Sequence, residues 1–283
     1  MSNIIKALYE AIFRTIEQDG IEHAGYMSFM ILFSLFPFII FFLALTSFIG
    51  ASELGGRFII IFFENMPYDT TISIKARIDE LLKTPPQRLM TLAIFGSIWT
   101  ASSFVECVRT ILNKIYQITS PPNYIIRRLL SIFQFLLISI FIIVAMFILV
   151  FIPIIFLKIP NLLTIVENYK NIFDQIRYFL IFASLFFVSS FLYYMIPNMR
   201  LNFKNIVPGS CLTAISWMLS GYLLSKYIKY YNQLDIVYGS LGGIIVTLIF
   251  FYIINMLFIY GAEFNYLYKL YSSENENQIR DVT

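Results

Sequence analysis

Six long stretches almost free of charge, at 27–49, 89–105, 129–157, 178–196, 206–224 and 241–260, decide what this chain can fold into. Each has close to or more than the ~20 apolar residues with which a helix crosses about 30 Å of hydrocarbon. Lipid offers no water to backbone N–H and C=O groups, so such a stretch must satisfy them internally, as a helix. No strand-period alternation runs through them, which argues against a transmembrane barrel. A soluble alternative fails on surface. The chain is 59% hydrophobic and 13% charged, against about 25% charged in a typical soluble domain, and one core cannot hide that excess. The expected fold is an all-α integral membrane protein, a six-transmembrane-helix bundle. It forms a single membrane domain over 1–270, followed by a polar tail at 271–283 that is expected to be disordered.

The segments between the spans add detail. In "NIIKALYEAIFRTIEQDG", Ile4, Ile5, Leu8, Ile12 and Ile16 recur at helical spacing while Lys6, Glu10, Arg14 and Glu17 take the other side. Asn3 can cap the start and Gly20 the end. This reads as an N-terminal amphipathic surface helix, with a helix packed on the protein's own cytosolic face as the alternative. The long connection at 51–88 contains "GRFIIIFFENM" and "TISIKARIDELLKTPP", expected as two short interfacial helices between spans 1 and 2. With six spans both termini share a side. Arg127 and Arg128 at a span boundary, with Arg14, Arg109 and Lys114, place that side in the cytoplasm.

Charged and amide side chains in or near spans are costly and therefore candidates for function. Glu106 and Arg109 stand three apart on one helix face and can pair, as a helix-end lock or as part of a substrate path. Glu263 closes the last apolar run. It can cap a helix or pair with a basic residue from elsewhere, or act as a protonatable group in a path. Asn255 and Gln134 lie deeper and are placed to form interhelical hydrogen bonds, often worth only about 0.6–2 kcal/mol.

Small residues mark expected close contacts. Gly239 and Gly243 form a GxxxG at the head of the sixth span, and Gly209/Thr213, Ser210/Ala214 and Ser216/Ser220 repeat that spacing in the fifth. Gly239 and Gly243 would serve dimerisation as readily as internal packing, which leaves a homo-oligomer open. Pro37 inside the first span removes one backbone bond and should kink the helix, with Ser34 available to help the freed carbonyl. Pro208 lies nearer its helix start.

Several function classes lose support. There is no P-loop and no HExxH, and the one histidine, His23, has no nucleophile elbow to serve. No His/Cys cluster offers a metal site and no cofactor is expected. Cys107 and Cys211 read as packing residues. A net charge of +3 spread along the chain gives no nucleic-acid platform. Membrane lipids are the expected partners.

Four stretches together, "EHAGYMSFMILFSLFPFIIFF", "IWTASSFVECVRTILNKIYQI", "YYMIPNMRLNFKNIVPGSCLTAISW" and "YGSLGGIIVTLIFFYIINMLFIYGAEFN", resemble the YihY/BrkB family of bacterial inner-membrane proteins. They occur in the family's order and cover most of the chain. The first departs from the family by carrying Gly25 and Met27 where alanines are usual. The resemblance implies a six-span bundle with cytosolic termini and motif positions at Ser34, Pro37, Pro208, Gly209, Tyr238, Gly239, Ser240, Gly261, Glu263 and Asn265. Members have been described as serum-resistance or virulence factors, as transporters, and as ribonuclease BN. The expected function is that of a transporter or lipid translocator of the cell envelope. A non-transporting scaffold for envelope assembly is the alternative, and a membrane-associated ribonuclease is disfavoured for want of metal ligands.

Overall fold

Two of the breaks between helices among the described residues are made by backbone chemistry. The computed structural model describes residues 3–50, 87–158, 170–199, 201–230 and 240–280, and among these every regular element is a helix: α1 (Asn3–Glu17), α2 (Gly20–Gly50), α3 (Gln87–Ile115), α4 (Tyr124–Lys158), α5 (Lys170–Met195), α6 (Phe203–Tyr230) and α7 (Ser240–Arg280). The turn from α1 to α2 runs through Asp19, whose φ of 59° is left-handed, while its carbonyl accepts the first α2 bond from the His23 N–H at 2.9 Å. Gly20 is required there, because a Cβ at this position would run into the Thr15 carbonyl and methyl.

The end of α3 is a Schellman closure. The Ile118 N–H bonds back to the Asn113 carbonyl at 2.9 Å and the Gln117 N–H to Lys114 at 3.1 Å, with Gln117 left-handed at φ 55°. Glycine usually fills that position, and a left-handed non-glycine residue costs roughly 1–2 kcal/mol. Gln117 is exposed, so Gln117→Gly is expected to stabilise the fold by about 1 kcal/mol. A raised thermal midpoint in detergent micelles is the check. Asn113 also holds the turn after α5, donating to Asn198 Oδ1 at 2.8 Å and accepting from the Asn198 N–H at 2.9 Å.

Helices α2 to α7 lie over the six apolar segments. Four stretches among the described residues are long and apolar enough to cross a membrane, at Tyr124–Phe141, Tyr178–Met195, Phe203–Tyr227 and Gly243–Ser272. The central element is α7, which packs against α1, α2, α3 and α6; α2 also packs on α3, α3 on α4, and α5 on α6. Large apolar side chains such as Phe29, Phe95, Ile125, Phe179, Phe187 and Ile249 point outward, as expected where lipid is the solvent. The contacts between helices are made by small and hydroxyl residues: Ala24, Ser28, Ala101, Ser102, Ser189, Ser210, Thr213, Ala214 and Ala262 are all buried.

Three expectations need correction. The chain after Leu270 is helical, since α7 runs unbroken to Arg280. No glycine or proline interrupts that segment, and the Tyr271 hydroxyl donates to Glu10 on α1. Gly243 is exposed and a Cβ there would meet nothing within 4 Å. The tight glycine contact falls instead at Gly209 and Gly261, where a Cβ on either would meet the other's carbonyl oxygen. Ser34 Oγ donates to the Ile31 carbonyl at 2.9 Å, not to the Phe33 carbonyl that Pro37 leaves free. The interfacial helices expected between spans 1 and 2, together with Tyr238 and Gly239, lie outside the described residues.

Candidate functional site

Two groups of buried charge stand out in the bundle, and they differ in what they face. The first joins the two ends of the chain. Glu263, less than one turn beyond the apolar stretch that ends at Tyr260, is 1% exposed and meets Arg14 of α1, whose Nε lies 2.6 Å from Glu263 Oε2. Ala7 and Ala11 of α1 are buried against Phe264 and Leu267 of α7, with Leu8 packed beside them, and bring α1 close onto α7. The Arg14 guanidinium stacks 4.1 Å from the centre of the Tyr266 ring. The Gln18 amide, in the orientation that satisfies its surroundings, donates to Glu263 Oε1 at 3.0 Å and accepts from Arg14 at 3.0 Å. Beneath this pair, Asn265 Oδ1 accepts from the Gly209 N–H at 2.7 Å. The Tyr193 hydroxyl sits 2.8 Å from Thr213 Oγ1 and donates to the Phe258 carbonyl at 2.6 Å. These bonds tie α1, α5, α6 and α7 together.

The second group lies where α3 ends and α4 begins. Glu106 on α3 accepts from Ser131 Oγ at 2.7 Å and faces Arg127 Nε at 3.1 Å and Arg109 Nε at 3.4 Å. Arg109 is 1% exposed; its Nη2 donates to Gln134 Oε1, and Gln134 in turn donates to the Met195 carbonyl at the end of α5. Arg128 stacks 4.2 Å from the centre of the Trp99 ring and donates to the Trp99 carbonyl and, at 3.1 Å, to Ser103 Oγ.

This second group borders a cleft of about 520 Å³ between the first turns of α2, the last turns of α3 and the start of α4. Tyr26, Met30, Cys107 and Ile111 give it apolar walls; Glu106, Arg128 and His23 give it polar ones. At its rim Lys114 Nζ donates to Asp19 Oδ2 at 2.8 Å and to the Gln18 carbonyl at 3.2 Å. Lys114 holds the Asp19 carboxyl below its usual range. Burial, and then the Lys114 charge, push the His23 imidazole down, towards its neutral form. Its volume lies in the range of small-ligand clefts.

Of the residues singled out from sequence, Glu106, Arg109 and Gln134 come together in the second group. Glu263, Gly209 and Gly261 belong to the first, and Pro208 precedes Gly209 in the α6 turn that packs there. Asn255 lies apart in the bundle, its amide donating to Ser28 Oγ of α2 at 3.1 Å. Arg14, Tyr193, Arg127 and Arg128 were not among the candidates. For the two adjacent arginines a signal existed, since two charges side by side at a span boundary are costly and call for partners. Tyr193 looks like any other aromatic in an apolar run.

Comparison with known proteins gives the same class. The chain is 28% identical over 267 residues, 92% of its own length and 94% of the other's, to YfkH of Bacillus subtilis (strain 168), which carries the name of a ribonuclease-like protein. It is 23% identical over 276 residues, 93% of its length and 87% of the other's, to a UPF0761 membrane protein of Pseudoalteromonas atlantica. No solved structure matches. The model of the family described as virulence factor BrkB matches residues 11–282, and with that match over nearly the whole length, the chain belongs to the virulence factor BrkB family of membrane proteins.

Proposed function

We propose that this protein is a lipid translocator or transporter of the bacterial inner membrane, working through the cleft between α2, α3 and α4. The observation that carries this reading is the cleft itself, a lining that is apolar on one wall and charged on the other at one end of the bundle. An amphiphile passing between leaflets needs such a place, because its polar part must leave water while its chains stay in lipid. In this reading α2 to α7 all span the bilayer, with both termini in the cytoplasm. Lys114, Arg127 and Arg128 supply the positive charge of that side. Helix α1 lies at the interface, which accords with the exposure of Ile5, Tyr9, Ile12, Phe13 and Ile16 beside its buried Ala7 and Ala11.

The test is movement of a fluorescent phospholipid between leaflets of proteoliposomes, against empty vesicles and against a variant with the cleft obstructed at an exposed lining position, Thr110→Trp. Transfer well above the empty control, and lost on obstruction, is the expected result. No transfer above the control removes phospholipid flipping. A non-transporting scaffold is the second reading, favoured by the first charge group, in which Arg14 and Glu263 are spent on each other. Among the described residues no three His, Cys, Asp or Glu side chains come together, so nothing favours carrying the ribonuclease-like name of YfkH over to this chain.

A further inference from the structure

Arg128 is 7% exposed, yet its Nε has no hydrogen-bond partner. It lines the cleft and is fixed there, gripped by Trp99 and Ser103 on the side of α3. A buried guanidinium with an unspent donor is costly unless something takes that donor. The surroundings say what kind of group would. Glu106, the carboxylate of the lining nearest to α4, is already occupied by Ser131, Arg127 and Arg109, while Arg128 bonds only to the neutral Trp99 carbonyl and Ser103 hydroxyl, so this end of the cleft keeps a surplus of positive charge. Glu22, the other acidic residue of the lining, is exposed to water at the rim. His23 is pushed towards its neutral form. The cleft also contains Tyr124, the first residue of α4, and the N–H groups of a helix's first turn have no partners within the helix and favour an anion.

We propose that the cleft is a binding site for a phosphate-bearing lipid headgroup, with Arg128 as the residue that takes the phosphate and with Tyr26, Met30 and Ile111 against the glycerol and the upper acyl chains. Guanidinium and phosphate form the charge-assisted bonds that suit a partly dehydrated site. This deepens the translocator reading and rests on it for its purpose, but the site itself can be tested without any transport.

The experiment is calorimetric titration of the purified full chain in phosphate-free maltoside micelles with dihexanoyl phosphatidic acid, inorganic phosphate and dihexanoylglycerol. Saturable binding of the phosphatidic acid is expected, weakened about tenfold or more by Arg128→Gln, the loss anticipated for one charge-assisted hydrogen bond. Because Arg128→Gln touches a buried position, Thr110→Glu serves as the second variant. Thr110 lines the cleft but is exposed, so an added carboxylate there should repel the ligand and leave the thermal midpoint in place. Inorganic phosphate binding much more weakly identifies the lipid headgroup as the source; equal binding identifies free phosphate and overturns the lipid assignment. Dihexanoylglycerol binding as well as the phosphatidic acid, no saturable binding at all, or binding indifferent to both variants overturns the site. Binding in micelles with no transfer in vesicles would count against translocation alone.

Discussion

Gly261→Ala is expected to lower stability by about 3 kcal/mol, at the upper end of what overpacking a well-filled core costs, and Gly261→Val by more. The added Cβ would meet Thr213 Oγ1, the Tyr193 hydroxyl at 2.6 Å and the Gly209 carbonyl at 3.1 Å. None of these can retreat cheaply. Tyr193 and Thr213 are fully buried and bonded to one another, and the Gly209 carbonyl is backbone. Moving α7 away would also release Asn265 from the Gly209 N–H. Gly209→Ala should behave alike, since its Cβ would meet the Gly261 carbonyl and the Asn265 amide. Gly243→Ala is the matched control: it is exposed with no neighbour to strike, and alanine in a helix interior gains roughly 0.5–1 kcal/mol over glycine. Thermal midpoints of the three variants in one detergent decide the matter. Equal shifts at 243 and 261 would show that α6 and α7 do not meet where described.

Breaking the Arg14–Glu263 pair has the second large effect. Removing one partner of a buried ion pair strands the other and costs about 3–5 kcal/mol. Arg14→Gln should approach that figure, because Glu263 is enclosed. Glu263→Gln should cost less, since Arg14 is 18% exposed and keeps its stack on Tyr266. In the double variant no charge is left behind, so its loss should fall short of the sum of the two single losses by about 1–3 kcal/mol. The same variants separate two roles. If Glu263 locks α1 to α7, lipid movement by Glu263→Gln falls only as the folded fraction falls. If it works on a substrate or proton, movement is lost well beyond what the fall in folded fraction accounts for.

What could be read from sequence and what could not follows the range of the interactions. The helices over 129–157 and 206–224 are written in local composition, because lipid leaves an apolar run no other backbone solution. The Glu106–Arg109 contact is equally local, three residues along one helix. The partner of Glu263 was not legible, since nothing in the sequence near it points to Arg14 at the far end of the chain. Small-residue spacing is local too, but it says that a close approach is allowed without saying which face is approached. For that reason Gly243 and Gly261 looked alike until α6 was in place. The cleft was invisible for a further reason: its walls come from three helices, and a void is a property of their packing and not of any one of them.

The meeting of Arg14 with Glu263 has a consequence for how the molecule is built during synthesis. Helix α1 leaves the ribosome long before α7, against which it docks, so its seat does not exist until α7 has been made and inserted. Until then α1 has only its contact with α2 and whatever hold its outward isoleucines find on the bilayer surface. Closure of the bundle is thus a late, long-range event, and Arg14 works as a latch that can engage only once α7 is in place.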